Sequence, residues 1–422
     1  MFKSTIIFLL FIFIKNLHAT DLNYSLILGN ESFTNVSLLA DAESNEQLRS
    51  LTAGVSISES SSFIQTDLTS SYSVRDYRND IQEDRDRAEL NANILWLAYP
   101  GRLEWFLSDI YTQVSINTLE RDAPSNIGDA NILRLGPNYF IRLNSNNTLN
   151  FEGRLVGQSF ENNVNNNRIT SAVRYLHGVT PFFNLSMNLE SEIVKFDSPA
   201  SDSDFNRYDL FLRTNYSRGA SQILVELGSV NVNSSVNDDT SEPRYSVLLE
   251  SSRSNASDFR LQYTKNIVDR GNLIINNNQG IPGASLIDSF ANDLSITTIS
   301  TLGYEVNSDN VSMNINVFKQ SNKGVLIQEF DNNANGVNIR TSWPATRGDL
   351  VELNINARNV NFINQPVVRK DQDRNYTLSY TYRARRNINL NYRLRSVKRQ
   401  SNDDNFDFKD NRFLISVEYF SN

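Results

Sequence analysis

The sequence predicts an all-β chain: a single closed antiparallel transmembrane β-barrel of about 18–20 strands, preceded by a signal peptide. Three observations carry this reading. Apolar and polar residues alternate strictly over most of the chain, with no convincing amphipathic helix in competition. Short turns and long polar loops alternate along it. A charged, then apolar, then small-residue leader opens it.

The leader reads Met1-Phe2-Lys3, then the apolar run Ile6 to Ile14, then a polar stretch ending on Ala19. That is the layout of a secretory signal peptide, and the run is too short for a spanning helix, which needs about 20 residues. Cleavage after Ala19 leaves a barrel domain over residues 20–422, and signal peptide over 1–19. No lipobox cysteine follows, so an N-terminal lipid anchor is excluded.

Alternation marks the strands. Phe183, Leu185, Met187, Leu189 and Ile193 interleave with Asn184, Ser186, Asn188, Glu190 and Glu192. Val311, Met313, Ile315 and Val317 do the same, as do Ile388, Leu390, Tyr392 and Leu394. The final strand presents Phe413, Ile415, Val417 and Tyr419 on one face and ends near Phe420. Such a terminal strand resembles the signal read by barrel-assembly machinery, although Ser421 and Asn422 follow it here.

The connections are sorted by parity. Short ones occur at Tyr99 to Gly101, Leu143 to Thr148, His177 to Pro181, Ser217 to Ala220 and Ala384 to Asn387. Between them lie Asn-, Asp- and Ser-rich stretches such as Asn117 to Ala130, Asp197 to Asn206, Asp269 to Asp293 and Gln400 to Asp410. Outer-membrane barrels have short periplasmic turns at one rim and long extracellular loops at the other. The parity predicts both termini in the periplasm of a Gram-negative cell. The count turns on Asn30 to Leu51 and is 18 or 20 strands.

The polar faces carry Arg134, Arg142, Glu152, Arg154, Glu190, Glu192, Arg213, Arg260, Arg340, Arg393 and Arg395, with Glu226 and Glu352. One charge on the lipid face near the midplane costs about 2–4 kcal/mol. So many on one face predict a hydrated lumen. Both signs occur, so no strong ion selectivity is expected. Tyr99, Trp105, Tyr111, Tyr139, Trp343, Tyr380 and Tyr392 fit interfacial girdles.

Composition narrows the chemistry. Loss of Lys3 and Lys15 with the leader lowers the 40 basic residues to 38 against 48 acidic ones, a formal charge of −10. That argues against nucleic acid as a partner. No cysteine is present, and His177 is the one histidine outside the leader. Disulfides, thiolate metal sites and histidine-based catalysis lose their basis, and neither cofactor, metal nor enzymatic activity is expected. His177 sits at a short turn, at the opposite rim from the site of an outer-membrane hydrolase. The acidic loops around Asp197 to Asp204, Asp238-Asp239 and Asp403-Asp404 lack the ligand ladder of a calcium loop.

One segment exceeds barrel physics. In Leu103 to Gln113, Asp109 falls on the same face as Trp105, where lipid is expected. Either a bulge flips the register or that face is covered. Trp105, Leu107, Asp109 and Gln113, with Gly136 and Pro137 on the following strand, match a Trp-x-Leu-x-Asp-x-x-x-Gln strand and a Gly-Pro strand. The chain resembles in this the outer-membrane β-barrel proteins associated with exopolysaccharide and exosortase (PEP-CTERM) systems. Glu31 to Leu38 looks like that family's first strand; Asn35-Val36 match its core, and Thr34 stands where its Asp would be. The resemblance implies a channel or export component for exopolysaccharide. A general porin for small solutes and, behind it, an outer-membrane enzyme or adhesin are the alternatives. The expected partners are outer-membrane lipid and lipopolysaccharide, the assembly machinery during insertion, and a polysaccharide or a periplasmic export partner.

Overall fold

The computed structural model describes residues 20–40, 44–117, 123–161, 164–197, 204–234, 239–254, 256–269, 274, 294–325, 328, 331–346, 348–364 and 368–421. The leader expected over 1–19, and parts of the acidic loops, lie outside the described residues. The first ten strands are β1 (Thr20–Phe33), β2 (Glu46–Ser60), β3 (Ile64–Tyr77), β4 (Arg87–Tyr99), β5 (Leu103–Ser115), β6 (Ile127–Arg142), β7 (Asn147–Phe160), β8 (Asn166–Thr180), β9 (Phe183–Phe196) and β10 (Phe205–Arg218). The others are β11 (Ser221–Ser234), β12 (Thr240–Ser254), β13 (Ser257–Val268), β14 (Ser295–Asn307), β15 (Ser312–Gly324), β16 (Asn332–Thr346), β17 (Asp349–Phe362), β18 (Arg369–Arg385), β19 (Ile388–Ser401) and β20 (Phe408–Phe420).

Each strand pairs antiparallel with the next, and β1 pairs with β20 from Ser25↔Phe420 to Phe33↔Arg412. The 20-stranded sheet is therefore a closed barrel. Closure follows from the surroundings: an open edge in hydrocarbon would leave N–H and C=O groups without partners. The connections 61–63, 100–102, 143–146, 181–182 and 219–220 lie at one rim, and 78–86 and 402–407 at the other. The start of β1 and the end of β20 share the short-turn rim. The segment that left the strand number open holds the end of β1, the loop over 34–45 and the start of β2.

The outward face is apolar. Leu22, Tyr24, Leu26 and Leu28 of β1 are exposed, as are Phe413, Ile415, Val417 and Tyr419 of β20. On β10 the outward residues run Tyr208, Leu210, Leu212, Thr214 and Tyr216, an aliphatic centre between two tyrosines. Tyr380 and Tyr392 stack across β18 and β19 with ring centroids 6.3 Å apart. Such a band with aromatic edges is what lipid selects.

The inward face is not uniformly wet. Near the long-loop rim it buries Phe33, Leu48 and Tyr77 with Val36 of the first loop, and Phe318, Ala334, Val360 and Phe362. A third cluster joins Ile110, Ala130, Ile132, Val156 and Phe160 with Ile274. Ile274, which follows β13 in the chain, packs against the β5–β7 wall. Alternation marks these side chains as inward-facing, but not that they meet one another there.

Three phenylalanines lie directly opposite glycines on the inward face: Phe106↔Gly136, Phe211↔Gly228 and Phe318↔Gly336. At Gly336 the Phe318 ring takes the space of the missing side chain, its Cε1 and Cζ 2.7 Å from where a Cβ would stand, an aromatic–glycine pairing that helps pin register. At Gly136 the approach is backbone on backbone: a Cβ there would lie 1.9 Å from the Gly153 carbonyl oxygen. The β6–β7 ladder skips Gly136 and Pro137 at that point. Arg154 bridges the gap, donating to the Pro137 and Gly153 carbonyls at 2.9 and 2.8 Å. Gly136→Ala should therefore cost about 1–3 kcal/mol, read as a lower temperature at which the folded gel band converts to the unfolded one. An unchanged conversion temperature would show that β7 can yield.

The structure corrects one expectation. Glu31 to Leu38 is not one strand, because β1 ends at Phe33. Asp410 of β20 accepts from the Thr34 and Asn35 amides at 3.1 and 2.9 Å. Asn35 is buried and accepts from Ser44 Oγ and the Leu39 amide. Asn35 and Val36 thus tie down the first loop, and an acid on β20 ends the strand by capturing its next amides.

Candidate functional site: the charged lumen

The inward face at mid-barrel is a lattice of arginines and carboxylates. Register positions them: Asp209↔Glu190, Arg207↔Glu192 and Arg213↔Glu226 are opposite pairs on adjoining strands. Asp209 is the hub of the β7–β12 wall. It accepts from Arg207 Nε and Nη2 at 2.7 Å each and from Arg244 Nη1 at 2.7 Å. Arg207 also donates to the Ile267 carbonyl at 2.8 Å. Arg244 reaches Glu226 at 3.0 Å and lies over the Phe211 ring at 3.7 Å. Arg213 holds the same Glu226 at 2.5 Å.

The lattice continues sideways. Arg174 spans Glu152 at 2.6 Å and Glu190 at 2.9 Å. Arg168 bonds Glu192 at 3.0 Å and Asp269 at 2.7 Å, with Arg168 and Asp269 both buried. Asp269 directly follows β13, so these ion pairs tie the end of that strand to β8 and β9. Arg134 and Arg154 flank the Phe106 ring at 5.3 and 5.0 Å.

The opposite wall differs. On β17–β19, Asp373 is held by Arg358 at 2.8 Å and Arg399 at 2.6 Å. Beside them, Arg393, Arg395, Arg412 and Arg75 gather around Glu31, with Asp410 paired to Arg412 at 2.6 Å. Apart from Asp410, these residues line a cavity of about 1300 Å³ that opens toward the long loops.

The register places all eleven lumen candidates on the inward face. It brings Glu152, Arg154, Glu190, Glu192 and Arg213 into the β7–β12 lattice. Arg260 faces Glu250 at 3.4 Å and Arg340 faces Glu352 at 3.0 Å. Arg142 stands apart at the short-turn end of β6, exposed. Sequence reading missed Arg168, Arg174, Arg207, Asp209, Arg244, Asp269 and Glu31. Carrying the phase of each strand on to its ends would have found most of them: Arg207 and Asp209 alternate with Tyr208 and Leu210.

The family-like motif lies elsewhere. Trp105, Leu107, Asp109 and Gln113 form an outward stripe, and the β5–β6 ladder runs without a shift from Leu103↔Tyr139 to Ser115↔Ile127. No bulge flips the register, so Asp109 faces outward and is covered. It is 8% exposed, lies between Ala92 and Leu133, and accepts from Asn131 Nδ2 at 2.8 Å. Tyr111 donates to Asp129 beside it. His177, at the short-turn end of β8, has its Nδ1 2.7 Å from Asn147 Oδ1. Among the described residues no group of three or more His, Asp or Glu is placed to hold a metal.

No family model matches the chain, and no curated protein matches it. Solved structures do. A mutant of the ferric enterobactin receptor PfeA from Pseudomonas aeruginosa superposes with a TM-score of 0.51 at 9% identity, covering 96% of this chain and 81% of its own. The FrpB iron transporter from Neisseria meningitidis (F5-1 variant) gives a TM-score of 0.50 at 9% identity, covering 95% and 83%. At that identity the likeness is one of fold.

Proposed function

We propose that the protein is an outer-membrane channel, with both termini in the periplasm, and that its cargo is exopolysaccharide in the course of export. The charged lumen behind an apolar outer band carries the first part. A wall of ion pairs and asparagines offers a hydroxyl-rich solute hydrogen bonds in place of water. The match of Trp105, Leu107, Asp109, Gln113, Gly136 and Pro137 to the exopolysaccharide-associated family supports the cargo.

Purified protein added to a planar bilayer should give discrete conductance steps. A sealed bilayer at high protein concentration would overturn the channel reading. Deleting the gene should abolish capsule or slime. A deletion that alters only uptake of small solutes would favour a general porin instead.

A further inference from the structure

The two lumen walls treat the same residue type differently. On β8–β12, Arg168, Arg174, Arg207, Arg213 and Arg244 each have a carboxylate oxygen within 2.5–2.7 Å. Across the lumen, Arg395 of β19 lies directly opposite Arg412 of β20. Like charges placed opposite on one face of a sheet repel. Arg393 follows on the same face of β19, and Arg75 projects from β3 two strands beyond β1.

Glu31, Glu83, Asp84, Asp86, Glu161 and Asp373 line the same cavity, but among the described residues none of them forms an ion pair with Arg75, Arg393 or Arg395. Arg412 is paired with Asp410 at 2.6 Å. Arg395 Nε donates to a neutral group, Asn375 Oδ1, at 3.1 Å, and Arg75 interacts with Tyr77. Glu31 is the carboxylate that feels Arg412, Arg393, Arg395 and Arg75 together. Among the described residues, no carboxylate oxygen lies within 4.0 Å of Arg75, Arg393 or Arg395.

Arginines left without an ion-pair partner raise the positive potential around them, and the low-dielectric walls of a pore focus it. The guanidinium fork matches a carboxylate two bonds at a time. Within the channel reading, on which this rests, we propose that Arg75, Arg393 and Arg395 form a binding step for carboxylate groups, so that the cargo is an acidic saccharide.

The test is ion selectivity and block in planar bilayers. Under a potassium chloride gradient the wild type should show a reversal potential of anion-selective sign. Oligogalacturonate, a carboxylated oligosaccharide, should interrupt the current, and neutral maltooligosaccharide should not. Arg393→Gln with Arg395→Gln should move the reversal potential toward zero and weaken the block by roughly tenfold for each bidentate arginine–carboxylate pair removed. Lys398→Gln, on the outward face of β19, should change neither. Removing like-charge repulsion should not harm folding; if the pair does, Arg393→Gln alone is expected to show half the effect. A conducting wild type that is cation-selective, or blocked equally by both sugars, overturns this proposal and leaves the channel intact. Absence of any conductance overturns the channel reading itself.

Discussion

Asp209→Ala should destabilise the barrel by about 3–5 kcal/mol, the cost of removing one partner from a buried ion pair. Asp209 is 2% exposed and holds two arginines, and Arg207 is itself buried. Its loss leaves Arg207 with the Ile267 carbonyl and Asn266, and Arg244 with Glu226 and a distant Glu190. Neither can leave: both are rooted in strands whose register is set by lipid-facing neighbours. Urea titration of tryptophan fluorescence in lipid bilayers measures the loss. Replacing all three charges together, with Arg207→Met, Asp209→Leu and Arg244→Met, should recover much of it, since no uncompensated charge remains. A loss below about 1 kcal/mol for Asp209→Ala would mean that lumen water screens the lattice as it does surface pairs.

Leu212→Arg should cost about 2–4 kcal/mol. Leu212 is exposed on the outward face of β10, midway between Tyr208 and Tyr216. A guanidinium there must be taken into hydrocarbon or drag water with it. The next residue supplies the control. Arg213 faces inward and is part-exposed, and its partner Glu226 keeps Arg244 at 3.0 Å. Arg213→Leu should therefore cost about 1 kcal/mol or less. The contrast between two adjacent positions separates faces, not depths. If Leu212→Arg were as mild as Arg213→Leu in the same titration, the outward band would not be lying in lipid.

These two residues also show how legible the molecule is. Alternation alone tells Leu212 from Arg213, because successive side chains leave a strand on opposite sides. Loop parity likewise narrows the count to 18 or 20 strands and puts the two ends of the barrel on one rim; the structure decides for 20. Asp109 marks the edge of that legibility. Period 2 places it outward, and the unbroken β5–β6 ladder agrees, but Asn131, which satisfies it, comes from another strand. The early Glu31 to Leu38 stretch misleads for a similar reason: Asp410, which captures the Thr34 and Asn35 amides, lies at the far end of the chain. The Phe–Gly pairs are invisible too, since each needs two strands in known register.

What the sequence by itself determined is therefore the barrel: its strands, their two faces, its sorted loops and its charged interior. Each of these follows from a local rule about which side a residue faces. Tertiary structure alone decided which charges meet. Arg168 finds Asp269 and Arg207 finds the Ile267 carbonyl across several strands, while Arg395 finds Arg412 instead of an acid. Both signs mixed along a chain imply a neutral pore. Closure of the sheet pairs most of them and leaves Arg75, Arg393 and Arg395 without an ion-pair partner among the described residues, because charge balance is a matter of ångströms between strands and not of composition.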